Sequence, residues 1–303
     1  MKIAMIGAGA MGSLFGALLA EAGETVTLLD IRKDHVDSIN ANGLIIEDGY
    51  QRRTVKITAT TDPDQIGIVD LSFVFVKSTH TADVVRTAAE LSGSEGWVLT
   101  LQNGMGNIET LSERIDPLRI IAGTTSHGAT LLAPGKIRHA GIGETVIGPW
   151  EKTIMLGAKI IAERFNQAGI ITRTVADVQS MLWSKLFINV GINAITALTG
   201  ISNGQLLDLE QTRQISREAV YEAVSVARAM GITIQEDPVE KTFLAATATA
   251  HNRSSMGQDV DKRRPTEIHA INGFIVRMAQ QLGVQVPVNR TLTSLIETLE
   301  AHY

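Results

Sequence analysis

Cysteine is absent from this sequence of 303 residues. Its absence excludes disulfides, thiol nucleophiles and thiolate metal sites, and it fits a reducing compartment. Apolar runs are short as well, and none approaches the roughly 18 residues of a membrane span. The N-terminus enters a short apolar strand at once, which is not the pattern of a signal peptide. We therefore expect a cytoplasmic protein with no membrane partner.

Charge is also sparse, because charged residues make up 19% of the chain and the net charge is −5. A mildly acidic chain has no general attraction for nucleic acid, and the basic run at 262–264 is short enough to be a solvated helix end. The seven histidines show no metal-ligand spacing. These features predict no nucleic-acid partner and no bound metal.

The first thirty residues carry the strongest pattern. A short apolar strand is followed by a glycine turn, a helical repeat of apolar residues and a second strand that ends on an acid. Glycines in such a turn let the backbone approach a pyrophosphate, and the acid can hold the ribose hydroxyls. The pattern predicts a dinucleotide-binding unit with these residues at the cofactor: Gly7, Ala8, Gly9, Ala10, Met11, Gly12 and Asp30.

Strands alternate with helices up to about residue 176, and helical periodicity takes over beyond it. This change predicts an α/β chain, with an N-terminal Rossmann-type doubly wound sheet over residues 1–176 followed by an all-helical C-terminal domain over residues 177–303. Lys77 and Asn103 each follow a predicted strand, at the edge where parallel sheets bind ligands. The segment 141–143 has glycines but no following helix, which is typical of a hairpin turn.

One face of a predicted helix in the C-terminal half carries an amine and two amides. Lys185, Asn189 and Asn193 are spaced i, i+4 and i+8. Their neighbours are apolar, so a lysine here is costly without a partner or a role. It can extend past a buried polar seam. Alternatively, it can protonate a developing alkoxide, with a pKa that desolvation lowers.

Two later segments offer polar groups to a ligand. Asn252, Ser254 and Ser255 are predicted in a short break between helices, where they can bind a carboxylate or simply cap a helix. Glu267 is predicted in a first helical turn, which favours a carboxylate through the helix dipole. It can equally accept a bond from a substrate hydroxyl or from Lys185.

Taken together, the motifs resemble those of the ketopantoate reductase (2-dehydropantoate 2-reductase) family along the whole chain. The resemblance runs in order through the glycine turn, Lys77, Asn103-Gly104-Met105-Gly106, Thr124-Thr125-Ser126-His127, Leu182-Trp183-Ser184-Lys185, Asn203-Gly204, Ser254-Ser255-Met256 and Thr266-Glu267-Ile268. It implies an oxidoreductase that uses NADP(H) or NAD(H) to reduce the C2 ketone of 2-dehydropantoate to (R)-pantoate. This small-molecule reaction belongs to pantothenate and coenzyme A biosynthesis, and family habit suggests a homodimer.

The resemblance also implies roles for single residues. Lys185 matches the general acid, and Glu267 matches a glutamate near the substrate and the nicotinamide ribose. Lys77 and Ala129 match cofactor positions, while Asn103 matches a residue that touches both nicotinamide and substrate. Besides Asn103 and Lys185, the positions that match substrate-binding residues are Asn189, Asn193, Asn203, Asn252 and Ser255.

The sequence leaves two choices open: NADH or NADPH as the cofactor, and which 2-oxo acid is the substrate. Family members usually prefer NADPH and carry a basic residue just after the second strand, whereas Asp30 ends that strand here and Arg32 follows two positions later. A carboxylate there repels the 2′-phosphate of NADPH, so we lean slightly to NADH, with Arg32 as the residue that would hold a phosphate. Asp30 also fits an NAD-dependent D-2-hydroxyacid dehydrogenase that acts on another branched 2-oxo acid. A non-catalytic dinucleotide-binding protein is a third reading, and a buried amine argues against it.

Overall fold

The computed structural model describes residues 1–49, 51–151 and 155–303, and these form two compact units. Unit 1 comprises Met1–Gln102 and Asn107–Val178, and unit 2 comprises Asn103–Gly106 and Gln179–Tyr303. The domain limits expected from the sequence, 1–176 and 177–303, stay a prediction about independently folding pieces of the chain.

Unit 1 is built from strands and from helices that connect them. Its strands are β1 (Lys2–Ile6), β2 (Thr25–Leu29), β3 (Leu44–Asp48), β4 (Gln51–Val55), β5 (Thr58–Thr60), β6 (Leu71–Val74), β7 (Trp97–Thr100), β8 (Ile120–Thr125), β9 (Gly128–Ala133), β10 (Lys136–Gly141), β11 (Thr145–Pro149) and β12 (Thr172–Thr174). Its helices are α1 (Ala10–Glu21), α2 (Lys33–Asn42), α3 (Thr81–Ser92), α4 (Asn107–Ser112) and α5 (Leu156–Gln167).

The main sheet has the order β12-β11-β8-β7-β6-β1-β2-β5. Strands β8, β7, β6, β1, β2 and β5 run parallel, and β11 joins β8 antiparallel. The chain leaves β1 toward β2 on one side and reaches β6 on the other side, so the strand order reverses at the β1/β6 pair. A ligand is expected beyond the carboxyl ends of the strands at such a reversal. The predicted doubly wound fold is thereby confirmed.

Aromatic side chains fix α1 on this sheet. Phe15 of α1 lies 5.8 Å from Phe73 and 5.3 Å from Phe75, between ring centroids, and 5.8 Å from Phe165 of α5. Phe15, Phe73 and Phe165 are completely buried. Edge-on and tilted ring pairs at these distances add to the stability gained from burying the rings. The cluster therefore sets where the N-terminus of α1 lies.

A second sheet of four strands, in the order β4-β3-β10-β9, was not expected from the sequence. Strand β10 pairs with β3 and β9 in this sheet, whereas β11 pairs with β8 and β12 in the main sheet. The hairpin predicted at 141–143 is therefore wrong, because the strands on its two sides belong to different sheets. Glycine marks a sharp change of direction, but it does not say which strands pair.

Unit 2 is helical throughout residues 179–303. Its helices are α6 (Val178–Thr199), α7 (Glu210–Ala229), α8 (Pro238–Ala248), α9 (Ser255–Asp261), α10 (Asn272–Leu282) and α11 (Pro287–Glu300), with short 3-10 turns at Gly204–Leu207 and Ile268–Ala270. The predicted all-helical C-terminal half is confirmed. Two local expectations were wrong, since residues 255–261 form a helix rather than a break, and Glu267 precedes a 3-10 turn rather than lying in an α-helix.

Helix α6 is the one helix in the described part of the chain that is long and apolar enough to cross a membrane, judged by length and composition. Most of it is buried inside the protein, as the central helix of a folded unit is. The sequence analysis found no such run because Lys185, Asn189 and Asn193 interrupt its apolar residues.

Candidate active site

The glycine turn between β1 and α1 is shaped by close backbone approach. Gly7 has a φ of +95°, and a Cβ on Gly12 would lie 2.0 Å from the Gly7 carbonyl oxygen. A Cβ on Gly7 would lie 2.8 Å from the backbone nitrogen of Val76, next to the carboxyl end of β6. Only glycine fits at these two positions, because a side chain would force the helix away from the strand.

The same turn fits a dinucleotide pyrophosphate. Helix α1 begins at Ala10, and Gly9 precedes it without a side-chain cap. A Cβ built on Gly9 meets no atom within 4 Å, so the backbone here faces open space. The first amides of a helix carry partial positive charge and lack helical acceptors, which suits an anion. Gly7 to Gly12 therefore form a cradle with the shape and amides that phosphates require, with Ala8 buried behind it.

The acid that ends β2 is held by its own turn. The Asp30 carboxylate accepts a hydrogen bond of 2.9 Å from the Arg32 backbone N–H. The guanidinium of Arg32 instead reaches the Asp34 carboxylate at 2.7 Å, with both side chains about half exposed. This hydrogen bond from Arg32 lowers the pKa of Asp34. An exposed ion pair of this kind is weak, so Arg32 can exchange Asp34 for another anion.

Two predicted cofactor residues of unit 1 belong to different parts of the fold. Lys77 lies three positions after the end of β6, and the preceding carbonyl of Val76 accepts a 2.8 Å hydrogen bond from the Gln102 amide. Ala129 lies on β9 of the second sheet, packed against the core that also contains Phe15. The sequence offered no local reason to place Ala129 near the cofactor, and its cofactor contact stays a prediction from the family resemblance.

Helix α6 of unit 2 carries polar residues along one face, and an aromatic contact holds the helix against α10. Trp183 is buried and lies 5.8 Å from Phe274 of α10, between ring centroids. Lys185, Asn189 and Asn193 lie one turn apart along the same helix. Because residues two positions apart point to different sides of a helix, Lys185 does not share the side on which Trp183 packs.

Lys185 combines burial with a neighbouring negative charge. Although the residue as a whole is only partly buried, burial lowers the pKa of Lys185 to about 8, and the Glu267 carboxylate opposes this shift. Desolvation disfavours the ammonium form, and an opposite charge favours it. The amine is therefore held near the pKa that suits proton transfer at neutral pH.

Asn103 belongs to the same neighbourhood as Glu267. The Met105 N–H donates a 2.8 Å hydrogen bond to the Ala270 carbonyl. Gly104 has a φ of +78°, and a Cβ there would lie 2.5 Å from Ala270. The segment 103–106 therefore packs on the 3-10 turn that begins just after Glu267. Asn103 and Glu267 lie in two segments held together by these contacts.

The two adjacent serines have different tasks. Ser254 is buried and caps α9, since its hydroxyl accepts from the Gly257 N–H at 3.1 Å and from the Thr196 hydroxyl at 2.7 Å. Ser255, the first residue of α9, is exposed. The capping role weighed for this segment thus falls on Ser254, and Ser255 stays the predicted substrate residue.

Asn203 and Asn252 are brought together. The Asn203 N–H donates to the Asn252 carbonyl at 3.0 Å, and the Asn203 amide donates to the Thr249 hydroxyl at 2.9 Å. The Asn203 Oδ1 is buried and has no hydrogen-bond partner among the described residues. A buried acceptor without a partner costs free energy, which a ligand hydroxyl would recover.

Supporting residues of unit 2 escaped the sequence analysis. The guanidinium of Arg253 donates to the Ile201 carbonyl at 3.0 Å beyond the end of α6 and makes two 2.9 Å bonds to Asp261 of α9. The buried Asn272 amide donates to the Val190 carbonyl of α6 at 3.3 Å and to Asn289 at 3.0 Å. The one signal in the sequence for these contacts is that Arg253 and Asn272 are polar residues close to apolar ones.

Comparison with known proteins gives consistent matches over the whole chain. The family model described as Ketopantoate reductase PanE/ApbA matches residues 3–152, and that described as Ketopantoate reductase PanE/ApbA C terminal matches residues 177–300. A 2-dehydropantoate 2-reductase of Halobacterium salinarum is 37% identical over 297 residues, covering 98% of each chain. One from Pyrococcus abyssi is 37% identical over 303 residues, covering 99% of this chain and 98% of that relative.

Solved structures with the same fold also match the whole chain. A PanE/ApbA family ketopantoate reductase from Ralstonia eutropha has a TM-score of 0.91 at 34% identity, covering 100% of this chain and 99% of that chain. A D-mandelate dehydrogenase in complex with NADH and anilino(oxo)acetate has a TM-score of 0.93 at 26% identity, with the same coverage.

The environment of Lys185 predicts an unusual titration. We expect the Lys185 amine to titrate near pH 8, and its pKa to fall further in Glu267→Gln, because that change removes the negative charge that stabilises the ammonium. The measurement is the pH dependence of the 13Cε chemical shift in lysine-labelled protein. Glu218→Gln, on the exposed surface of α7, should leave the midpoint unchanged. A midpoint above pH 10 in the parent protein would contradict this assignment.

Proposed function

The chain belongs to the ketopantoate reductase family, and on this premise we propose that it reduces the C2 ketone of 2-dehydropantoate to the alcohol of (R)-pantoate. It is a nicotinamide-dependent oxidoreductase with a Rossmann-type fold. The observation that carries the proposal is Lys185, an amine on α6 whose pKa burial lowers to about 8 beside the Glu267 carboxylate. Dinucleotide binding alone does not need such a group, whereas ketone reduction needs a proton donor.

The residues of unit 1 hold the dinucleotide. Gly7, Gly9 and Gly12 shape the cradle in which the amides of Ala10 and Met11 begin α1, and these positions receive the pyrophosphate. Lys77 and Ala129 line the remaining part of the cofactor site. When bound, the reduced nicotinamide supplies a hydride to C2 of the ketone.

Lys185 supplies the proton. With a pKa of about 8, roughly nine-tenths of the amine is protonated at pH 7. As negative charge develops on the ketone oxygen, Lys185 gives that oxygen a proton from Nζ and becomes a neutral amine. Glu267 keeps the amine charged before the reaction, because its carboxylate raises the Lys185 pKa against the effect of burial. The transferred proton leaves with the alcohol, and the neutral amine of Lys185 takes a new proton from the solvent before the next turnover.

The polar residues of unit 2 hold the substrate. Asn103, Asn189 and Asn193 supply amides near Lys185, and exposed Ser255 at the start of α9 supplies a hydroxyl to the substrate carboxylate. Asn252 and Asn203 form the other contact, where Asn203 Oδ1, which has no hydrogen-bond partner among the described residues, accepts from a substrate hydroxyl. Fixing the ketone through both ends aligns its carbon for hydride transfer.

For the cofactor we propose that NADH is accepted through Asp30, with NADPH as a second cofactor. Asp30 directly follows β2, where its carboxylate can accept bonds from the ribose hydroxyls. Arg32 is engaged with Asp34, and it must leave this pair to bind a 2′-phosphate. We also propose a cytoplasmic location and, from family habit alone, a homodimer.

A second function has specific support. The D-mandelate dehydrogenase complex with NADH has the same fold over 100% of this chain, and Asp30 fits NADH. The alternative is therefore an NAD-dependent D-2-hydroxyacid dehydrogenase that acts on another branched 2-oxo acid. The same Lys185 would serve either reaction, so the two functions differ in the substrate and not in the proton donor.

Initial rates with a substrate panel decide between these functions. We expect kcat/KM for 2-dehydropantoate to exceed that for benzoylformate and 2-oxoisovalerate by at least about 100-fold, because a site built to bond a hydroxyl rejects analogues that lack it. Each acid is assayed with NADH and with NADPH. A preference for benzoylformate would instead establish a D-2-hydroxyacid dehydrogenase. If no acid is turned over, the protein binds a dinucleotide without catalysis.

Replacement of Lys185 tests the mechanism. Lys185→Ala should lower kcat by about 10²–10⁴-fold, which is the usual contribution of a general acid, while the Kd for dinucleotide changes little. In the parent enzyme the rate should fall as the pH rises through about 8, since the donor then loses its proton. Lys262→Ala, on the exposed surface of unit 2, is the matched control. Near-normal kcat in Lys185→Ala would remove Lys185 from the mechanism.

The cofactor proposal is tested by the ratio of kcat/KM for NADH to that for NADPH. Asp30→Ala should lower this ratio, because it removes the acceptor for the ribose hydroxyls and the repulsion of the phosphate. Arg32→Ala should raise it. Asp37→Ala, which removes an exposed acid paired with Lys33 further along α2, should leave the ratio unchanged. An enzyme that strongly prefers NADPH, and loses this preference in Arg32→Ala, would contradict the role given to Asp30.

A further inference from the structure

We propose that Ser13 and His35 are positioning residues that orient the Ala8–Gly9 peptide of the glycine turn, so that the Gly9 N–H faces the dinucleotide pyrophosphate. The inference rests on dinucleotide binding in the proposed function. Ser13 contacts the glycine turn directly, and His35 lies behind Ser13. Both act through the Ala8 carbonyl.

A chain of three hydrogen bonds connects the second sheet to the glycine turn. The Gly135 N–H, in the turn between β9 and β10, donates to His35 Nδ1 at 2.9 Å. His35 Nε2 lies 3.3 Å from the Ser13 hydroxyl. The Ser13 hydroxyl donates to the Ala8 carbonyl at 2.8 Å.

The positions of the protons follow from these partners. Because Nδ1 accepts from a backbone N–H, the neutral imidazole must carry its proton on Nε2. Ser13 has one hydroxyl proton, which goes to Ala8, so its oxygen accepts the proton of His35 Nε2. Every donor in the chain then meets one acceptor, and each group fixes the orientation of the next.

Burial protects this arrangement from competing water. Ser13 is 0% exposed and His35 is 1% exposed. Burial lowers the pKa of His35; Asp30, the Ala8 backbone carbonyl and Asp34 oppose this shift, and Arg32 adds to it. The neutral imidazole that the hydrogen bonds require is therefore also the form that burial favours. A protonated ring would place two N–H donors against each other at Gly135.

Orienting the Ala8 carbonyl also orients the next amide. The chain has no cis peptide bond among its described residues, and a trans peptide is planar with its C=O and N–H on opposite sides. Since the Ala8 carbonyl is bound to Ser13 inside the unit, the Gly9 N–H points the other way. Gly9 is the residue whose missing Cβ faces open space. The N–H is thus presented where a phosphate would lie.

The second sheet anchors the chain of bonds. Gly135 has a φ of +69°, and a Cβ on it would lie 2.4 Å from the Ser38 hydroxyl of α2. Ser38 donates to the Pro134 carbonyl at 3.1 Å. The turn that supplies the first donor is therefore packed tightly against the helix that carries His35, which gives this sheet a role in cofactor binding.

Removal of the Ser13 hydroxyl is the first test. Ser13→Ala should raise the Kd for NADH and for NADPH about five- to tenfold by isothermal titration calorimetry, the loss expected for one hydrogen bond of about 1 kcal/mol. At saturating dinucleotide, kcat and the KM for 2-dehydropantoate should stay at the parent values. Ser72→Ala is the matched control, because it removes a buried hydroxyl of β6 that has no hydrogen-bond partner among the described residues. Equal Kd values in Ser13→Ala and Ser72→Ala would overturn the proposal.

Variants of His35 separate the two ring nitrogens. The amide oxygen of His35→Asn can replace Nδ1 as the acceptor for Gly135, and the amide of His35→Gln can replace Nε2 as the donor to Ser13. His35→Gln should therefore retain tighter dinucleotide binding than His35→Asn. Equal or reversed affinities would contradict the relay through Ser13.

The parent protein provides a test that does not depend on any variant folding. The 15N chemical shifts of His35 should show the proton on Nε2 at pH 7, and the Nδ1–H form would overturn the proposal. Failure of the proposed function looks different, since the parent protein would then bind neither dinucleotide by calorimetry. Tight binding by the parent with no change in Ser13→Ala refutes the positioning role alone.

Discussion

The close contact between α1 and the first two strands is the constraint on which unit 1 depends. Gly12 lies against the Gly7 carbonyl, and a Cβ on Gly16 would lie 2.6 Å from Leu28. Because the helix backbone approaches the sheet so closely, Phe15 enters the aromatic cluster and Ser13 reaches the Ala8 carbonyl. The same contact fixes the helix N-terminus beside the open space at Gly9, where we propose that the phosphates bind. Core packing and cofactor binding therefore share one geometric cause.

Unit 2 depends on a balance between the cost of burying an amine on an otherwise apolar helix and the contacts that offset this cost. Burial of an ammonium group is unfavourable, and it lowers the Lys185 pKa to about 8. Glu267 offsets part of this cost, and the buried contacts of Trp183 and Asn272 hold α6 in place. A helix fixed by its apolar side can present a lysine that stability alone would not favour. The free energy of packing is thus used to maintain a reactive group.

Local patterns were sufficient where one element decides the outcome. The glycine turn, the alternation of strands and helices, and the spacing of Lys185 with Asn189 each follow from short-range periodicity, and the predicted fold class and family are confirmed. Predictions failed where two segments distant in sequence decide the outcome. The second sheet joins β3 with β10, strands separated by more than eighty residues, and no pattern within either strand specifies that pairing. The helix at Ser255–Asp261 was missed for the same reason, because buried contacts from Thr196 stabilise its cap.

The sequence by itself determined the chemistry that is available to this protein: a glycine turn for phosphates, an acid at the end of β2, and a lysine among amides on one helix. Tertiary structure alone decided how those groups are tuned. Desolvation lowers the pKa of Lys185, and Glu267, eighty-two positions away, opposes part of that shift. The hydrogen bonds proposed to orient the Gly9 amide run from Ser13 through His35 to Gly135, in the turn between β9 and β10. Desolvation and hydrogen-bond direction depend on neighbours in space, which are set only when the chain has packed.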